Sequence, residues 1–188
     1  MSLITVTKSD TLPITLADVK SHLLVEHDLD DDLITSYIWT AISYAEDYTG
    51  RDFTATTYDW VLSCWHEKFE LPRVPVTAIT SLKYYDSDNS QQTWSSSNYY
   101  TIIPTNMPAI LVPDANITKP SLKARPDAIT IRFSAGYTAL PWQVDAAIKL
   151  IVGHLYENRQ AEITGTITTE LKLGVDRLLS QHRSVWGC

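Results

Sequence analysis

Cysteine, glycine and long apolar runs are scarce in this chain of 188 residues. Its two cysteines, Cys64 and Cys188, are too few for a disulfide framework and favour a reducing compartment. The six glycines form no phosphate-binding loop or dinucleotide fingerprint, and no serine lies in a nucleophile elbow. No apolar run approaches the ~20 residues that span a bilayer, and the N-terminus does not resemble a signal peptide. We therefore expect no membrane association.

Basic residues are also few, because 15 Lys and Arg stand against 22 Asp and Glu, for a net charge of −7. An acidic chain has no general attraction for phosphates, which argues against a protein that reads a nucleic-acid groove. A surface that repels a polyanion would still let DNA slide past without sticking. Hydrophobic residues make up 44% of the chain, which is enough for a globular core.

The side chains that could carry chemistry do not form complete sites. The acidic run at 28–32 copies the start of a calcium-binding EF-hand loop, but the required Gly and Glu positions hold Leu33 and Trp39. This run is better explained as the cap of a following helix. Cys64 and His66 are two ligands of the four that a structural zinc site needs. We predict no catalytic residue, no metal ligand and no cofactor.

Helical patterns occur at both ends of the chain. Thr15 and Asp18 resemble a capping box that begins a first helix ending near Val25. A second helix has one apolar face and ends at Gly50, and a third begins at Pro141. Their predicted core faces are Ile34, Ile38, Ala41, Ala45 and Tyr48, and Val144, Ala147, Ile148, Ile151 and Leu155. A Thr-rich connection at 158–172, expected to be an exposed arm, leads into a short fourth helix at 175–182.

The middle of the chain has the pattern of β-structure. Strands are predicted at 58–62, 79–85, 92–94, 99–103 and 128–133, and the proline-rich stretch 104–126 is predicted to hold loops and short edge strands. The fold class is therefore α+β: a small bundle of three to four helices from both chain ends, with an inserted antiparallel β-rich domain. The predicted parts are 1–53 (N-terminal helices), 54–137 (β-rich insert) and 138–188 (C-terminal helices and tail).

Eight short motifs occur in an order that points to one family. They are LADVKSHL at 16–23, EHD at 26–28, YAE at 44–46, YTGR at 48–51, LPRVPV at 71–76, FSAGY at 133–137, HLYENR at 154–159 and LGVD at 173–176. With these motifs the chain resembles the head-tail connector (adaptor) proteins of tailed bacteriophages and prophages. The resemblance covers nearly the whole chain.

The resemblance implies a structural protein of the virion neck that is not an enzyme. Copies would form a homo-oligomeric ring, roughly dodecameric, beneath the portal protein ring. The ring would extend the DNA channel, let DNA pass without sequence-specific binding, and dock the next neck or tail protein. Assembly in the bacterial host cytoplasm follows from the same resemblance.

A candidate partner or subunit interface lies near the C-terminus. Tyr156 and Arg159 belong to the motif at 154–159, and apolar residues then concentrate where a chain end should be polar. We expect Leu178, Leu179 and Trp186 to dock on the portal or on a neighbouring subunit.

Three other functions are open at this point. The chain could be a tail completion or terminator protein, which keeps the structural role but changes its position. The Tyr and Trp residues of the β-rich insert could line a carbohydrate-binding module. A hydrolase whose site is assembled from distant residues is a third possibility.

Overall fold

The computed structural model describes residues 1–159 and 167–183, without the side chains of residues 167–173. The chain divides into two compact units, each built from two separate segments. Unit 1 comprises Met1–Ser9 and Thr54–Tyr137, and unit 2 comprises Asp10–Phe53 and Thr138–Cys188. The four helices and two antiparallel sheets of the described part of the chain confirm the predicted α+β class.

All strands of the described residues belong to unit 1. Its eight strands are β1 (Ser2–Lys8), β2 (Thr56–Leu62), β3 (Phe69–Glu70), β4 (Val76–Tyr85), β5 (Gln91–Trp94), β6 (Tyr99–Ile102), β7 (Ile110–Pro113) and β8 (Ile129–Ala135). A five-stranded sheet has the order β1-β2-β8-β4-β5, and a three-stranded sheet has the order β3-β7-β6. All pairings are antiparallel.

Strands β2 and β8, which are neighbours in the interior of the larger sheet, alternate between buried and partly buried residues. Ile129, Ile131 and Phe133 of β8 are fully buried and pack with alternate residues of β2 in the core of unit 1. On the opposite face, Arg132 donates two hydrogen bonds of 2.7 Å to Asp59 on the neighbouring β2. Side chains that alternate across a strand produce one apolar and one polar face in this way.

Two elements of unit 1 differ from the prediction. The sequence pattern predicts that residues 1–53 belong to the helical part, but the chain begins with β1, which pairs with β2 and places residues 1–9 in unit 1. The prolines of the stretch 104–126 predict loops and short edge strands, yet β7 is the middle strand of the smaller sheet. Its proline, Pro113, stands at the last position of the strand, so the three residues before it keep their backbone donors.

Unit 2 contains the helices α1 (Leu16–Leu23), α2 (Asp31–Thr49), α3 (Trp142–Glu157) and α4 (Ile167–Ser180). The hydroxyl of Thr15 accepts a 3.1 Å hydrogen bond from the amide of Asp18, as the capping box predicts. Gly50 ends α2 with φ of 67°, in the left-handed region that a residue without Cβ adopts at little cost.

The later helices deviate more from their sequence patterns. Val152 is buried on α3, whereas Ile151 and Leu155, expected in the core face, are only partly buried. Helix α4 begins at Ile167, so part of the predicted connection at 158–172 is helical. Residues 160–166 of that predicted arm lie outside the described residues. No helix in the described part of the chain has the length and apolar composition needed to cross a membrane.

Candidate interaction surfaces

Tyr156 and Arg159 lie together at the end of α3, joined through Asp30. The Tyr156 hydroxyl donates a 2.6 Å hydrogen bond to Asp30 Oδ2, and Arg159 Nη2 donates one of 2.7 Å to the same oxygen. The Arg159 guanidinium also lies over the Tyr156 ring, 4.6 Å from its centroid. We call these three residues the Asp30 cluster.

The contacts within the Asp30 cluster stabilise its charges. Hydrogen bonds from Tyr156 and then from Arg159 lower the pKa of Asp30 below its usual value. The hydrogen bond to Asp30 raises the pKa of Tyr156 and also that of Arg159. The cluster therefore holds a carboxylate and a guanidinium in one fixed arrangement, while the Arg159 side chain remains 47% exposed.

Other acidic residues of the run 28–32 form ion pairs within unit 2. Lys20 Nζ donates 2.7 Å hydrogen bonds to carboxylate oxygens of both Asp28 and Asp31. Asp30 stands at the N-cap of α2, but its side chain makes no capping hydrogen bond because it binds Tyr156 and Arg159 instead. The predicted capping role of the run is thus replaced by ion pairs that join α1, α2 and α3.

Leu179 and Leu178 have different surroundings although they are adjacent. Leu179 is fully buried in unit 2, and Val175 one turn earlier is 3% exposed. Leu178 is only partly buried. The side chain of Leu179 is therefore used within its own unit, and it is not available to a partner in this structure. Trp186, the last residue of the predicted interface, lies outside the described residues.

Polar contacts also attach α4 to the other helices of unit 2. The Tyr44 hydroxyl of α2 lies 3.4 Å from Asp176 Oδ1, and Arg51 Nε donates to the backbone oxygen of His182. Burial, followed by the charge of Arg51, lowers the pKa of His182. These contacts show that α4 is an integral part of unit 2 and leave Leu178 as the available apolar side chain of the pair.

The aromatic residues of the β-rich unit are mostly internal. Trp60 and Trp94 belong to the buried core of unit 1, and Trp65 packs on Trp94 with ring centroids 4.7 Å apart. The Trp65 indole nitrogen donates to the backbone oxygen of Pro120. A carbohydrate platform needs exposed aromatic faces, so these tryptophans do not support the carbohydrate-binding alternative.

The two possible zinc ligands, Cys64 and His66, lie near each other. Cys64 is an exposed free cysteine, and its sulfur lies 3.8 Å from His66 Nε2. Within residues 1–159 and 167–183, no group of three or more His, Cys, Asp and Glu side chains is arranged to hold a metal ion.

One surface was not found from the sequence. Tyr100 and Ile102 on β6 are 64% and 60% exposed, which is unusual for large apolar residues of a strand. The signal that could have found it is the absence of charge between Asp88 and Asp114 in a chain with 37 charged residues, 15 basic plus 22 acidic.

Comparisons with known proteins give a family and a fold. A family model described as phage gp6-like head-tail connector protein matches residues 13–110, which is more than half of the chain. A comparison with curated protein sequences gives no significant match.

Among the similar solved structures are chains from neck and virion structures of gene transfer agent (GTA) particles. One chain is from the neck of an empty GTA particle computed with C6 symmetry, with 22% identity and a TM-score of 0.78. Others are from a native GTA virion (21%, 0.78) and from the neck of a native GTA particle computed with C12 symmetry (23%, 0.74). Each match covers 100% of this chain and 98% of the other. The fold is thus shared along the entire length, and the family match shows that the chain belongs to the phage gp6-like head-tail connector proteins.

Proposed function

We propose that copies of this connector form a ring beneath the portal in the neck of a phage or phage-like particle. The ring extends the DNA channel and docks the next neck or tail component. The observation that carries this proposal is the likeness of the whole chain to neck chains of particles computed with C6 and C12 symmetry. Roughly twelve copies would match the C12 symmetry, and assembly would take place in the bacterial host cytoplasm.

The charge of the chain supports a channel rather than a nucleic-acid binding site. The net charge of −7 per copy, multiplied around a ring, makes a surface that repels phosphates. DNA would pass such a wall without sequence-specific contacts, because affinity for the backbone requires Lys and Arg. No catalytic step is part of this function.

We propose that unit 2 docks adjoining neck components through two separate surfaces. One is formed by Arg159, which the Asp30 cluster holds near the start of α2 and the end of α3. The other is formed by the partly buried Leu178 on α4, whose C-terminal end contacts Arg51 after α2 and Gln143 at the start of α3. The Arg159 guanidinium lies over the Tyr156 ring, and this cation–π contact helps to fix its position. Trp186 remains a proposed contact, and Leu179 is left out because it is buried within unit 2.

Light scattering after size exclusion, on the protein alone and mixed with its cognate portal, tests the ring. Electron microscopy of the heaviest peak should show a ring stacked on the portal. A protein that stays monomeric in both samples would contradict the proposed function. A ring that ignores the portal would move the protein to a tail position, as a completion or terminator protein.

The docking surface is tested with Arg159→Ala in the same mixture. We expect the ring to form and its binding to the portal or to the next component to weaken about tenfold, since a charged contact is lost. Lys123→Ala is the control, because it removes one positive charge from an exposed position in unit 1, outside the proposed docking surfaces. Equal effects of the two substitutions would show that only net charge matters.

A further inference from the structure

The outer face of the three-stranded sheet is apolar along β6 and β7, and it becomes charged at β3, where Glu70 lies opposite Ile110. Tyr100 lies opposite Val112, and Ile102 lies opposite Ile110, so these four side chains share one face. Thr101 lies opposite the fully buried Leu111 and therefore belongs to the other face. We call Tyr100, Ile102, Ile110 and Val112 the β6 face.

Strand β6 lacks the features that usually protect an edge strand. Strand β6 is at the end of the strand order, so one of its sides has no strand partner within the described chain. Edge strands are commonly protected by charged side chains, proline or bulges. None of the residues from Asn89 to Pro113 is charged, and β6 itself has no proline. Ile103 and Met107, in the loop after β6, are further exposed large apolar residues of this uncharged segment.

Polar groups surround this apolar centre on one side. The Tyr100 hydroxyl donates a 3.1 Å hydrogen bond to Asp114. A cleft of about 520 Å³ adjoins the face at Val112, and Glu67, Asp114 and Lys119 are among its lining residues. An apolar centre with a polar rim is the usual anatomy of a protein–protein interface.

We propose that the β6 face is a contact between neighbouring copies of this chain. The proposal rests on the ring of the proposed function, and it names one of the two unlike surfaces that each copy must present in a closed ring. Copies that each carry a net charge of −7 repel one another, so they meet most favourably where charge is absent. Interfaces between identical subunits are also more apolar than other interfaces.

A photocrosslinker in place of Tyr100 tests the occupant directly. In the full-length protein, alone and with the cognate portal, we expect a product with the mass of two copies. The same group at Thr101, one residue along β6 on the opposite face, should give less of this product. A product formed only with the portal, or equal yields from both positions, would overturn the proposal.

Ile102→Asp tests the energetic role of the face. A carboxylate facing a neighbouring copy must be desolvated, so the concentration needed for assembly should rise about tenfold or more. Thr101→Asp is the matched control with the same added charge, and circular dichroism should show both variants folded because both positions are exposed. Ile102→Thr, which retains β-propensity, is a milder second variant expected to act in the same direction.

The outcomes separate this inference from the proposed function. If the Ile102→Asp variant forms rings at the same concentration as the wild type, the inference is overturned, whereas the proposed ring is retained. Self-crosslinking from position 100 without any ring would contradict the proposed function and retain the contact. Rings that form normally with Ile102→Asp but no longer bind the portal would assign the face to the portal instead.

Discussion

Leu24 adopts a backbone conformation that is costly for a large side chain. It ends α1 with φ of 58°, and its side chain is 88% exposed. The left-handed region places Cβ close to the following carbonyl in any residue other than glycine. Little packing offsets this cost, since most of the side chain is in contact with solvent.

We expect Leu24→Gly to raise the free energy of unfolding by about 1 kcal/mol, because glycine adopts this conformation freely. Urea unfolding of both proteins measures the difference. Ser21→Gly is the control, since it places glycine at an exposed position inside α1 and should lower stability by about 0.5 kcal/mol. A loss of stability with both variants would mean that the Leu24 side chain makes a contact of its own.

Asp30 makes the stability of unit 2 depend on pH. Its pKa in the folded protein is below the ordinary 3.8 because of Tyr156 and Arg159. A lowered folded pKa contributes stability above pH 3.8, and this contribution is lost as the pH falls through the folded pKa. Asp30→Asn should therefore lower the melting temperature at neutral pH, with a smaller difference at about pH 3.

Thermal unfolding of wild type and Asp30→Asn across this pH range provides the measurement. Asp32→Asn is the control because it removes a charge from the exposed first turn of the same helix. A difference between wild type and Asp30→Asn that stays constant with pH would show that the Asp30 charge does not contribute.

At the level of elements, helix α4 is divided between the core and the surface. Leu179→Ala should lower the free energy of unfolding by about 2–4 kcal/mol, because it opens a cavity in a buried site. Leu178→Ala should cost less than about 1 kcal/mol, because this side chain is only partly buried. Chemical denaturation measures both. Equal losses would show that the two leucines pack alike and would remove Leu178 from the proposed docking surface.

The elements that can be predicted from the sequence are those determined by interactions among a few neighbouring residues. Thr15 as a cap, Gly50 as a stop and the alternation of Ile129, Ile131 and Phe133 each act within a few residues. Strand β1 cannot be predicted in this way, because it is stabilised by pairing with β2, some fifty positions away along the chain. The buried face of α3 also differs because neighbouring helices decide which side of an apolar helix is covered.

At the scale of the whole molecule, net charge should control assembly. Copies with a charge of −7 repel one another at low ionic strength, and at about 0.1 M salt the screening length shortens to ~10 Å. We expect added sodium chloride to lower the concentration at which the rings form. Light scattering at several salt concentrations provides the measurement, with equal osmolality of sucrose as the control. Rings that dissociate in salt would show that attraction between opposite charges holds them together.

The sequence by itself determined the α+β class, the helical ends around a β-rich middle and the resemblance to head-tail connectors, because these depend on composition, periodicity and the order of motifs. It also placed Tyr156 and Arg159 together in the motif at 154–159. Only the tertiary structure decided that Asp30 joins them, that Leu179 is internal while Leu178 is partly accessible, and that β6 presents an apolar face. The physical reason is that burial and hydrogen bonding between distant residues depend on which elements pack against each other. Local sequence does not specify this packing.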